Sequence, residues 1–110
     1  MKSVNKILRE NPSFVVGAEA ARNEIADDRL GWREHGKIVP WWNEAADQLS
    51  QRYAVHFSFV GECITPIDVA AEAAGYNEEM EAEFARRFGA NVVEEVFREL
   101  ERKKKKQRHR

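Results

Sequence analysis

Residues 64–89 read ITPIDVAAEAAGYNEEMEAEFARRFG, and the parsing of this stretch decides whether the chain builds a helical domain or a sheet. Thr65, Pro66 and Asp68 supply a capping hydroxyl, a proline suited to a first turn and an early acid. Ile67, Ala70, Ala71 and Ala74 then recur at helical spacing until Gly75, where a stop is expected. Asn77 caps a second helix, in which Met80, Phe84 and Phe88 repeat every four residues up to Gly89. The expected unit is two helices joined around Gly75. That geometry suits a helix-turn-helix, but Glu78, Glu79, Glu81 and Glu83 lead its second helix and would repel phosphates. A plain helical hairpin contributing to the core is the preferred reading.

Beyond Gly89, Asn91 and Glu94 mark another cap, and Val93, Val96, Phe97 and Leu100 form an apolar stripe that runs into ERKKKKQRHR. On the other side, YAVHFSFV at 53–60 alternates Tyr53, Val55, Phe57 and Phe59 with smaller or polar residues, the pattern of a strand. A strand needs a neighbour, and KIVP at 37–40, a second subunit or a partner chain could supply it unless helical context overrides the local preference. Pro40 opens a helix whose buried stripe is Trp42, Ala45, Ala46, Leu49 and Tyr53. Trp41 then points about 100° away, toward the boundary of the core. Asn11 before Pro12 starts a further helix with Phe14, Ala18, Ala21 and Ile25 inward and Gly31 as its stop. Gly17 in that helix is either a weak point or a place of close packing. SVNKILRE, capped by Ser3, gives a short helix with Val4, Ile7 and Leu8 inward. The fold class is mainly α: a compact multi-helix domain with one or two short strands, a small α+β fold being the alternative.

The 110 residues and 43% apolar content suffice for one core and not two. The formal charge of −1 conceals a division. Residues 1–100 hold eleven Lys or Arg against eighteen Asp or Glu, a balance of −7, whereas residues 101–110 hold seven Lys or Arg against Glu101, a balance of +6. The expected organisation is a single helical domain over 1–100 and a flexible basic tail over 101–110. One cysteine, Cys63, excludes an intramolecular disulfide and favours a cytoplasmic setting. The opening MKSVNKILRENPSF lacks the unbroken apolar run of a signal peptide, and no later run approaches a membrane span.

The chemistry-bearing residues do not assemble into a motif. Cys63 as a nucleophile would need His56 as its base and Asp68 to orient it, which sequence order alone does not arrange. His35 and His56 with Glu34, Glu62 or Asp68 lack metal-ligand spacing, and His109 sits in the basic run. The glycines are scattered, without a phosphate loop. Neither a catalytic residue, a metal nor a cofactor is expected. The leading reading is a non-enzymatic accessory protein that binds, and inhibits or regulates, a protein partner through an acidic helical surface. Its contact residues would be Asp27, Asp28, Glu78, Glu79, Glu81 and Glu83, with Trp41 exposed beside them. The alternative is nucleic-acid or ribonucleoprotein binding through Arg102, Lys103, Lys104, Lys105, Lys106, Arg108 and Arg110. Self-association is open to so small a domain.

Overall fold

The computed structural model describes residues 6–35, 39–60 and 65–108. The order of elements is α1 (Lys6–Glu10), α2 (Pro12–Ala26), β1 (Leu30–Glu34), α3 (Trp42–Tyr53), β2 (Val55–Phe59), α4 (Ile67–Phe88) and α5 (Val92–Arg108). It is a mainly helical domain with a small two-stranded sheet.

The decisive stretch forms one helix, not two. α4 runs unbroken through Gly75, so neither the expected stop nor a helix-turn-helix is formed. The reason lies in α2. A Cβ on Gly75 would collide with the Phe14 carbonyl oxygen, and one on Gly17 would collide with the Glu72 carbonyl oxygen. These glycines let two helix backbones touch, flanked by buried Ala18, Ala21 and Ala71. The close-packing role for Gly17 is thus the one realised, and Gly75 is its counterpart. Gly89, at φ 80°, ends α4 in the left-handed region that glycine enters without cost. Pro66, not Thr65, occupies the N-cap, without a side-chain cap bond.

The strand at β2 forms as expected, but its neighbour is different. β1 pairs with it in parallel, Leu30 opposite Val55 and Glu34 opposite Phe59, with α3 as the crossover. β1 begins at Leu30, the last residue before the expected helix stop at Gly31, and continues to Glu34 where a loop was expected. α2 ends at Ala26, and Asp28 turns the chain at φ 59°. Val39 and Pro40, from the expected partner, are not strand; Lys37 and Ile38 lie outside the described residues.

Alternation sends Leu30, Trp32, Val55, Phe57 and Phe59 to one face of the sheet. There Trp32 meets Phe84 of α4, with ring centroids 6.1 Å apart, and Phe57 meets Phe97 of α5 at 5.6 Å. Met80, Leu49, Val92, Val96 and Leu100 complete the core. The outer edge of β1 is closed by α4. The Arg33 amide donates to Asn77 Oδ1 at 2.9 Å, and Asn77 Nδ2 donates to the Arg33 carbonyl at 2.6 Å. Asn77, expected as a helix cap, instead acts as a one-residue substitute for a third strand. The expected caps at Asn11 and Asn91 do form: Asn11 accepts from the Ser13 amide, and Asn91 from the amides of Val93 and Glu94.

Candidate functional site

Of the seven residues expected to face a protein partner, five acids are tied to arginines of the fold. Glu78 accepts both terminal nitrogens of Arg9, at 2.5 and 3.3 Å, joining α1 to α4. Glu79 pairs with Arg22 of α2 at 2.8 Å, and Asp27 with Arg29 at 3.1 Å. Asp28 and Glu83 are brought together around Arg87, which reaches the first at 2.7 Å and the second at 2.6 Å. Glu83 is buried and is also held by Arg86. The hydrogen bonds from Arg86 and Arg87 hold its carboxyl down at about 2. Glu81 goes the other way: partial burial raises its pKa, helped by the nearby charges of Glu94 and Glu78. Trp41 is half-buried at the start of α3, its ring 5.3 Å from that of Phe97.

The basic run begins within α5. α5 continues as helix through Glu101 to Arg108, so its secondary structure does not change where the charge does. Val93, Phe97 and Leu100 turn toward the body, and Lys104 is the next residue on that stripe. Its ammonium donates to Glu44 of α3 at 2.8 Å. That hydrogen bond lowers the pKa of the Glu44 carboxyl. Lys105 pairs one turn back with Glu101 at 3.6 Å. Arg98, Arg102, Lys103 and Lys106 are exposed, and no ion pair engages them among the described residues. His109 and Arg110 lie outside those residues.

Two clefts adjoin this seam and share Trp41 and Lys104 in their linings. One, of about 340 Å³, is completed by Pro40, Glu44 and Gln107. The other, of about 410 Å³, is completed by Val39, Phe97, Glu101 and Lys105. Glu44 and Gln107 were not foreseen as site residues. The 93–97–100–104–107 spacing, which continues the apolar stripe into the basic run, is the signal that could have found the seam.

Of the remaining candidates, His56 is exposed on β2 and Asp68 accepts from Asn11 Nδ2 at 2.9 Å. His35 and Glu34 are half-buried at the end of β1. Cys63 and Glu62 lie outside the described residues. Among those described, no group of three or more His, Cys, Asp or Glu side chains could hold a metal ion. No described helix is long and apolar enough to cross a membrane. Comparison with protein-family models, with curated proteins and with solved structures returns no match to the chain.

Proposed function

We propose that the protein is a non-enzymatic accessory module that binds a polyanion, nucleic acid foremost, through the outward side of α5. The observation that carries this reading is the set Arg98, Arg102, Lys103 and Lys106, exposed on a formed helix and without an ion pair among the described residues. A helix already built loses less entropy on binding than a solvated tail would, so each cation can be aimed at a phosphate from the outset. The acids argued for a protein partner instead, but five of the six, Asp27, Asp28, Glu78, Glu79 and Glu83, are already engaged by arginines. The order of the two readings therefore reverses. A cytoplasmic setting goes with either.

Binding of a labelled oligonucleotide, followed by fluorescence anisotropy across a salt series, tests the proposal. Affinity should fall steeply with salt, because each neutralised phosphate releases counterions. Replacing Arg102, Lys103 and Lys106 together by alanine should flatten the log–log slope by about two to three. A slope and affinity that survive this replacement would remove α5 from the interface.

One feature favours the protein-partner reading as well. Glu81 lies within reach of the charges of Glu78 and Glu94, and a cationic protein surface would relieve that crowding. A native pull-down with and without nuclease separates the two. Partners retained after nuclease would point to the acids, and partners lost with the nucleic acid would point to α5.

A further inference from the structure

The clefts beside α5 hold a different chemistry from its outward side, and we propose that they take a nucleobase, making the ligand of α5 a single-stranded nucleic acid. The inference rests on the polyanion reading and specifies its substrate. Trp41 is steadied by Phe97 at 5.3 Å, and it lines both clefts. An indole held in this way offers a planar stacking surface at little entropic cost, and stacking accepts any base. The polar groups around it are the Gln107 amide and the carboxylates of Glu44 and Glu101, each paired with a lysine, Lys104 or Lys105, that lines the clefts as well. Carboxylates repel phosphate but accept hydrogen bonds from the exocyclic amino groups of bases. Lys104 shares both clefts and is held by Glu44, which keeps this wall in place. The cations free to meet a backbone, Arg102, Lys103 and Lys106, are on the same helix within about a turn of Lys104. The layout therefore seats a base against Trp41 and leaves the sugar–phosphate chain to follow the basic side of α5. Bases in a duplex are stacked on one another and cannot enter, which selects single strands.

The test compares three probes at one low salt concentration: a cytosine-rich single-stranded 12-mer, the duplex of the same length and inorganic polyphosphate. The single strand should bind about tenfold more tightly than the duplex, and Trp41→Leu should abolish that advantage while leaving duplex and polyphosphate binding unchanged. Trp41→Phe, which keeps a ring, should retain most of it. In the unmodified protein, tryptophan emission should be quenched by the single strand and not by polyphosphate, a readout independent of whether the leucine variant folds. Equal affinity for single strand and duplex, or no quenching, would overturn the base site and leave the polyanion reading standing. Failure of all three probes to bind would end both.

Discussion

At the scale of single residues, Gly17 and Gly75 matter because of what they lack. Alanine is the better helix former by about 1 kcal/mol, so on propensity alone either replacement would stabilise. Here the added Cβ meets a backbone carbonyl that cannot swing aside, and the helices must separate. Gly17→Ala and Gly75→Ala are each expected to destabilise by about 1–3 kcal/mol in urea unfolding. The double variant should cost less than the sum, because the first substitution already opens the contact that the second would strain. Glu83 sets a second expectation. Its carboxyl is held at about 2 in the fold, whereas an unfolded glutamate titrates near 4.3. A depressed folded value means that the contribution is complete above the unfolded pKa and is lost as pH falls through the folded one. Stability should therefore decline between about pH 5 and pH 2, and Glu83→Gln should flatten that limb of a thermal-melting profile.

At the scale of elements, the sheet depends on a side chain from a helix. Asn77→Ala would leave the Arg33 amide and carbonyl unpaired at a half-buried strand edge. The expected loss is about 1–3 kcal/mol, with accelerated hydrogen exchange at the Arg33 amide as the local signature. The C-terminal half of α5 behaves otherwise. Stopping the chain after Glu101 removes Lys104 and its bond to Glu44 but keeps Val93, Val96 and Leu100 in the core. The unfolding midpoint should shift only slightly, while far-ultraviolet helicity falls by the share of Arg102–Arg108. The caps at Asn11 and Asn91, the strand over 55–59 and the stripes of α2, α3 and α5 were legible because each depends on residues within a turn of one another, whereas Ile7, Ile67 and Phe88, expected inward, are exposed. Gly75 was misread since glycine marks a helix end by local rules, and only the distant backbone of Phe14 gives it an interior use. LGWRE was passed over for a related reason. Its glycine and charges weaken the strand pattern, and the contacts that make it a strand come from Phe57, Asn77 and Met80, far along the chain. At the candidate site the cations were legible as composition. Their fixed placement was not, because the contact that sets Lys104 against the body is made with Glu44 on α3, far along the chain.

At the scale of the whole molecule, the chain is knit by contacts between its two halves. The most extensive packing joins α2 to α4, and the strands pair across the length of α3. The charge division along the sequence, −7 over residues 1–100 and +6 over residues 101–110, should make its orientation near a charged surface strongly dependent on ionic strength. The contact between α2 and α4 also bears on how the chain emerges from the ribosome. Phe14, Ala18 and Ala21 have their partner surface on residues 70–84, which are synthesised much later. Until then the first half carries an apolar side with nothing to cover it, and folding must wait for nearly the full length. A nascent chain stalled with residues 1–60 outside the exit tunnel should be cut by protease throughout, and one stalled with residues 1–100 outside should resist; early protection of α2 would show that it finds cover before α4 exists.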